Sequence, residues 1–492
     1  MALTIALVIA LGAVLGGGLL AARGVRMDVA EWSVGGRRLG TALFWFLLVG
    51  ETFTTFALLG ASQGVFSGGA PGFYVLGTVV LFAAAGYWIV PRIWQAGKQG
   101  ELLTMGDYFA RRFSSPWFGR VVALFGIIAL LLYMRVQLTG LGLILQNLLG
   151  FDVSPKIYLI AGAVVVAVFA LAGGLRAAAF VAVVKDVLLV VALLVIAIGA
   201  AKAAGVTSVG GVFDGVARKF PDAATVPGIG GSAKTNLWWW MSFLLLTPAT
   251  FAMPHQFQVS FSAKDAATIR RNSIIQPLYS LFYVAIIYIA YAALLVLPKL
   301  SGSAANKSLL MFVHQHFPPA VIGMLAGAGI LVALAPTAVL IVAATSLFTR
   351  NVLGGGRGRS LAAARAGVVV FTVLGVLLSI SGSEQLVTIM TSMYSAIGQL
   401  APAVVLSLVW RRVTAPALVC GVVAGGLVVG VPALGDLALA AFPAGTVVGI
   451  PALVINLIVV LAVTPFTKPP ADEAVAVGMP RAAAPAPVAT AG

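Results

Sequence analysis

Long apolar runs separated by short polar breaks dominate the chain. Runs of about 18 or more apolar residues are long enough to cross a bilayer as helices. About thirteen such spans are predicted, near residues 2–22, 40–66, 73–95, 119–148, 156–174, 178–204, 236–260, 271–297, 318–347, 361–380, 384–408, 414–431 and 446–464. Two of them are interrupted. The span 40–66 carries Gly50-Glu51-Thr52-Phe53-Thr54-Thr55 and then Gly60-Ala61-Ser62-Gln63-Gly64. A carboxylate at mid-span costs roughly 2.5–3.5 kcal/mol on insertion scales, and its presence points to function. The clustered threonines offer hydroxyls that compete for backbone groups, and the glycines let the helix unwind. The span 236–260 carries Thr247-Pro248-Ala249-Thr250 and Met253-Pro254-His255. Each proline removes a backbone donor and clashes with the preceding turn, so a kink or unwound segment is predicted near Pro248.

These two breaks lie five spans apart. Matching Gly- or Pro-interrupted segments in two halves of a membrane protein point to a transporter built from inverted repeats, with its site at mid-membrane. The domain organisation read from this pattern is a first span and loop at 1–39, a first repeat at 40–204, and an outer loop at 205–235. A second repeat follows at 236–408, then two peripheral helices at 409–464 and a disordered tail at 465–492, rich in Ala and Pro. The loops 205–235 and 298–317 are predicted to carry short surface helices.

Charge orients the bundle. Of the 30 basic residues, Arg135 and Lys185 fall inside spans. Lys156, Lys202, Arg218, Lys219, Lys234, Lys299 and Lys307 fall in one set of alternate loops, and the remainder in the other set and the tail. Lys and Arg mark the cytoplasmic side, which places the N-terminus outside and the C-terminus in the cytoplasm of a multi-pass protein of the cell membrane.

Composition narrows the function classes. The chain is 61% hydrophobic and 9% charged, against about 25% charged residues in soluble domains, so it is read as an all-α polytopic membrane protein. The net charge of +16 lies in short loops and does not imply a nucleic-acid partner. A single cysteine, Cys420, allows no intramolecular disulfide. No H-E-x-x-H string or nucleophile–base dyad argues for an enzyme, and Gly354-Gly355-Gly356-Arg357-Gly358 lacks the Lys-Ser/Thr ending of a phosphate loop. No enzymatic cofactor is expected. The partners are the lipid bilayer and a small organic solute, and the working unit is a monomer.

Several strings, in order along nearly the whole chain, resemble the sodium:solute symporter family. They are Gly35-Gly36-Arg37, Tyr133 with Gln137, Gly173-Gly174-Leu175-Arg176 followed by Lys185-Asp186, and Pro254-His255 followed by Ser262-Ala263-Lys264-Asp265. Gly50-Glu51 with Thr54-Thr55, Gly69-Ala70-Pro71 and Leu347-Phe348-Thr349-Arg350-Asn351 are similar to its bacterial monocarboxylate permease branch. The resemblance implies a LeuT-like core of two inverted five-helix repeats. It also implies symport of a small organic solute such as pyruvate or lactate, by alternating access coupled to sodium or a proton. An amino acid as solute and a transporter-like sensor are the alternatives.

The family's second sodium site maps onto the carbonyls of Gly50 and Phe53, with Asp186 nearby. Its two hydroxyl residues align with Ala335 and Pro336, which have no side-chain oxygen, leaving only the neighbouring Thr337. Lys185 has two readings: an ammonium in the place of the cation, or a side chain reaching the cytoplasmic surface with Asp186 as its partner. A bound carboxylate would meet helix N-termini and the hydroxyls of Thr52, Thr54, Thr55, Thr247 and Thr250. Arg135 is either a bidentate carboxylate ligand or a tie to Glu51 or to unwound carbonyls, and Gln137 and Tyr133 are placed on the same cavity. Glu51 itself has Arg135 and Lys185 as candidate partners. Thr391, Ser392, Tyr394, Ser395 and Gln399 form a polar stripe that either lines the site or joins helices.

Overall fold

The computed structural model describes residues 2–22, 28–149, 154–354, 361–380 and 384–470. Among them the elements are helices throughout, with one isolated backbone bridge between Leu39 and Ala263. The first half comprises α1 (Ala2–Ala22), α2 (Val29–Val34), α3 (Thr41–Thr52), α4 (Ala61–Gly68), α5 (Tyr74–Gly100), α6 (Met105–Arg112), α7 (Pro116–Leu149) and α8 (Pro155–Ala203). The connection contains α9 (Val209–Lys219), and α10 (Ala233–Leu246), α11 (Pro254–Ser262), α12 (Ala266–Ile275) and α13 (Leu281–Val296) follow. The remainder is α14 (Ser308–His316), α15 (Pro319–Leu347), α16 (Leu361–Ile380), α17 (Leu386–Gly398), α18 (Ala401–Val409), α19 (Ala415–Gly430), α20 (Pro432–Leu439) and α21 (Gly449–Val463).

By length and hydropathy, eight helices can cross a membrane, or ten if each bent pair is one span. The difference from about thirteen has three local causes. The pattern 155–203 runs as one helix of 49 residues, but it is broken at Gly174, whose φ of 55° and ψ of −148° are not helical. A Cβ there would lie 2.4 Å from the Trp32 carbonyl, so the position needs glycine for both its backbone conformation and the close approach. Trp32 in turn donates its ring N–H to the Ala170 carbonyl at 3.1 Å, in the turn before the break. The span 236–260 is split into α10 and α11, each too short alone. The described apolar part of α1 counts only as a shorter helix. The connections 205–235 and 298–317 carry the helices α9 and α14, as the sequence predicts. The tail expected from composition to be disordered lies, from residue 471 on, outside the described residues.

α15 is the centre of the bundle: its most apolar stretch is entirely buried, and it packs on α7 and α8. An all-round apolar helix such as this one belongs in the interior rather than against lipid on one face. The two interrupted spans lie alongside. Between α3 and α4 the chain bends by 51°, with Phe53 at φ −93°, ψ 89° and a π-helical turn over Phe56–Gly60. Between α10 and α11 it passes through a 3-10 segment, Thr247–Ala252, and an extended Met253 before Pro254 opens α11. Pro254 suits that first position because its missing donor would have no partner there.

At one end the two interrupted spans are joined through the backbone. Leu39 N–H donates to Ser262 O at 3.0 Å, and Lys264 N–H donates to Leu39 O at 3.0 Å. The same end carries two ion-pair clusters. Glu31 meets Arg176 at 2.5 Å and Arg38 at 3.4 Å. Asp107, in the capping box that starts α6, accepts from Arg350 and Asn351 at 3.0 Å each.

Candidate functional site

The two chain breaks face each other across a cavity enclosing about 610 Å³, its open mouth included. Glu51, Thr52, Thr54 and Phe56 come from the first break, and Thr247, Thr250, Met253, His255 and Gln256 from the second. Tyr74, Tyr133, Tyr283 and Tyr394 close it from α5, α7, α13 and α17. The mixture of aromatic walls with a few polar groups suits a small organic molecule.

Behind the first break lies a cation. Lys185 is fully buried, and its ammonium donates to Gly50 O and to Phe53 O at 2.9 Å each. Asp186 Oδ1 lies 3.0 Å from the same nitrogen. An ammonium donates and has no acceptor, so the two carbonyls take its hydrogen bonds and the Asp186 carboxylate supplies the counter-charge. The two carbonyls are available because the helix unwinds at Phe53 and leaves them without partners one turn on. Gly50 has no side chain for a reason of space: a Cβ would lie 3.3 Å from Lys185 Nζ and 3.1 Å from Ala182 Cβ. The reading in which Lys185 reaches the surface is therefore corrected, since interior oxygens satisfy the ammonium where it stands. Thr337, on α15, donates its hydroxyl to Ala333 O at 2.6 Å.

The hydroxyls predicted for the site separate into two groups. Thr52, Thr54, Thr247 and Thr250 line the cavity. Thr52 donates to Leu48 O at 3.2 Å and accepts from Gln276 at 3.0 Å. Thr247 and Thr250 donate to Phe243 O and Thr247 O, at 2.8 and 2.7 Å, which leaves their lone pairs facing outward from those bonds. Thr55 and Gln137 do not line the cavity. Gln137 Oε1 accepts from both the backbone N–H and the hydroxyl of Thr55, at 3.2 and 2.6 Å. That amide replaces the backbone acceptor lost where the helix unwinds.

Arg135 also lies away from the cavity lining: its guanidinium pairs with Glu384 at 2.9 Å. It is neither a tie to Glu51 nor among the cavity's donors, because α7 carries it towards the start of α17. Lys185 is occupied by carbonyls and Asp186, so neither proposed partner makes an ion pair with Glu51 among the described residues. The titratable side chain that meets it is His255, with Nε2 at 3.6 Å from Glu51 Oε2. Sequence reasoning missed His255 as a site residue. The signal was present, since it follows Pro254 at the second break, but the string was read only as a helix end. Of the polar stripe on α17, Tyr394 lines the cavity. Thr391 and Ser395 bond within their helix, and Gln399 meets Asn456 of α21, whose amide donates to its carbonyl at 2.8 Å.

Residues 32–425 match the profile of the sodium:solute symporter family. The chain is 33% identical over 468 residues to the uncharacterised symporter YhjB of Bacillus subtilis, covering 92% of this chain and 94% of that protein. It is 28% identical to the monocarboxylate transport permease protein of Rhizobium johnstonii, over 66% of this chain and 64% of that one. Among solved structures, a Na⁺-coupled sialic acid symporter in a substrate-bound outward-open state superposes with a TM-score of 0.75 at 13% identity, covering 94% of this chain and 98% of that one. Mhp1, a nucleobase-cation-symport-1 family transporter, superposes with a TM-score of 0.59 at 13% identity, covering 92% and 99%. These likenesses establish the LeuT-like fold.

Proposed function

Because the chain belongs to the sodium:solute symporter family, we propose that the solute it carries is a small monocarboxylate such as pyruvate or lactate and that its coupling ion is a proton. That it is a solute symporter rather than an enzyme follows from the family itself. The carboxylate reading is supported by the relative named a monocarboxylate transport permease, and by a hydroxyl-lined cavity between two broken helices. The proton reading rests on one observation. The Lys185 ammonium bonds the Gly50 and Phe53 carbonyls, the oxygens that would otherwise coordinate sodium. Ala335 and Pro336 bring no side-chain oxygen to complete a sodium shell, and a hard cation needs about six oxygens. The buried Lys185–Asp186 pair is therefore the candidate carrier of the coupled proton.

In this reading the repeats are residues 40–204 and 236–408, the N-terminus faces outward and the C-terminus the cytoplasm, and one chain suffices for transport. Uptake of labelled pyruvate, lactate and alanine into proteoliposomes, under a sodium gradient and a pH gradient imposed separately, tests it. The expected result is uptake driven by inward-directed protons and indifferent to sodium. Uptake that follows sodium and ignores pH overturns the proton reading, and no uptake of any of the three overturns the substrate class. Lys185→Ala is expected to abolish pH-driven uptake and leave substrate exchange largely intact.

A further inference from the structure

Apart from the central cavity, the chain builds a second open pocket with a different lining. Thr139 of α7, Ser154 and Lys156 at the start of α8, Asn306 and Lys307 before α14, and Glu384 before α17 are among its walls. In the orientation proposed above, this is the outer end of the bundle. Part of the polar lining belongs to the wall itself. Asn306 donates its amide to Glu384 O at 3.2 Å and accepts from the Leu386 N–H at 3.0 Å, which fixes the entry to α17. The Glu384 carboxylate meets the Arg135 guanidinium at 2.9 Å. With Glu384 counted against Arg135, the two lysines give the pocket a net positive charge among the described residues.

Two further observations give that charge a direction. Lysine and arginine orient a membrane protein from the cytoplasmic side, so basic residues in the opposite loops do not serve orientation. Lys156 and Lys307 come from that sparse set, 151 positions apart in sequence by their numbers, yet they line one pocket. Lys307 is also half-buried, and desolvation holds its ammonium below the ordinary lysine range. An anion beside a partly desolvated ammonium replaces the stabilisation that water no longer gives. The pocket also shares two helices with the central cavity. Thr139 lies about 9 Å along α7 from Tyr133, and Glu384 leads into the helix that carries Met390 and Tyr394.

We propose that this pocket is a second, peripheral site for a small carboxylate, in which Lys156 and Lys307 collect the anionic solute ahead of the central cavity. A cleft lined by one sign of charge raises the local concentration of an oppositely charged solute and its rate of capture. The central cavity needs such help, because Lys185 is held by interior oxygens and Arg135 by Glu384, so neither offers its charge there. The anion chemistry stands on the charge of the pocket. That the anion is the transported solute rests on the monocarboxylate reading above.

Equilibrium dialysis of labelled lactate and of labelled pyruvate against the purified full chain, in detergent and low-salt buffer, counts the molecules bound per chain. Two classes of site are expected. The weaker should be lost in the double variant Lys156→Gln with Lys307→Gln, while the tighter changes by less than about threefold. A single class, or a weaker class indifferent to both substitutions, overturns this inference and leaves the monocarboxylate reading standing. No binding of either label overturns both. If chloride displaces the weaker class as well as acetate does, the pocket is a site for inorganic anions and its role for the solute is overturned. Uptake into proteoliposomes gives a second readout. The double variant should act on the half-saturating lactate concentration, about threefold in low salt, rather than on the maximal rate. That difference should shrink at about 0.5 M salt, where charges act over only a few ångströms, whereas damage to folding would persist. Lys156→Arg with Lys307→Arg should restore the low-salt value. Lys202→Gln, which removes an exposed charge outside the pocket lining, should leave it unchanged. The number of lactates bound by the unaltered protein is read without any variant, so a variant that fails to fold does not shelter the proposal.

Discussion

The side-chain nitrogen of Lys185 lies 2.9 Å from the carbonyl oxygen of Gly50, 135 residues away in the chain. A cation that belongs to the polypeptide thus stands at the unwound turn of the first interrupted span. Lys185→Met keeps most of the side-chain volume but leaves Asp186 buried without its counter-charge and two carbonyls without a donor. Removing one partner of a buried pair costs about 3–5 kcal/mol, so the detergent-solubilised variant should unfold several degrees lower. Lys185→Met with Asp186→Asn together should recover part of that loss. Unfolding followed by tryptophan fluorescence measures both.

Gly50→Ala places a methyl group 3.3 Å from Lys185 Nζ and 3.1 Å from Ala182 Cβ. Overpacking of this kind costs about 1–3 kcal/mol, here charged to the contact between the ammonium and the unwound turn. Uptake should fall about tenfold, since about 1.4 kcal/mol is a factor of ten. Transport at matched expression is the measurement.

Arg135 pairs with a half-exposed Glu384 instead of the cavity, and this position has a consequence for substrate affinity. Arg135→Ala should change the apparent affinity for substrate by less than about threefold. Its coupling with Glu384, measured as a double-mutant cycle on stability, should be about 1 kcal/mol or below and should weaken with added salt. A loss of affinity by orders of magnitude would return Arg135 to the substrate site.

Gln137→Leu removes the acceptor for both the N–H and the hydroxyl of Thr55, which are buried. The expected loss is about 1–3 kcal/mol of stability, the cost of unpaired buried donors. Gln137→Glu keeps the acceptor and should lose less. Thermal unfolding in detergent separates the two variants.

At the loop before α12, Asp265 caps the helix by accepting from the Thr268 N–H at 2.7 Å. That backbone hydrogen bond, foremost, holds its carboxyl below the usual carboxylate range. The cap's contribution is therefore complete above the ordinary carboxylate pKa and is lost as pH falls through the lower value of the folded protein. Asp265→Ala should cost about 1 kcal/mol at neutral pH, and the difference from wild type should vanish in acid. Unfolding midpoints measured from neutral to acid pH check the sign.

The sequence by itself determined the class of the molecule, because bilayer thickness converts apolar run length directly into spans. It also located both chain breaks, since Pro248, Pro254 and the Gly/Thr cluster around Glu51 act through local backbone chemistry. Lys185 and Asp186 stood out because charge inside an apolar run is costly wherever it points. Partners were another matter. Arg135 is two residues from Tyr133, about half a helical turn, so only one of them can face a given neighbour: Tyr133 lines the cavity and Arg135 meets Glu384. Which side of a helix faces a cavity depends on how that helix is rotated against its neighbours, and an all-round apolar pattern does not encode the rotation. Only the tertiary structure brought Lys185 onto Gly50 and Phe53, set Gln137 on Thr55, and placed His255 opposite Glu51. Those contacts join residues 82 to 204 positions apart, a pairing fixed by packing around α15 and by no local rule.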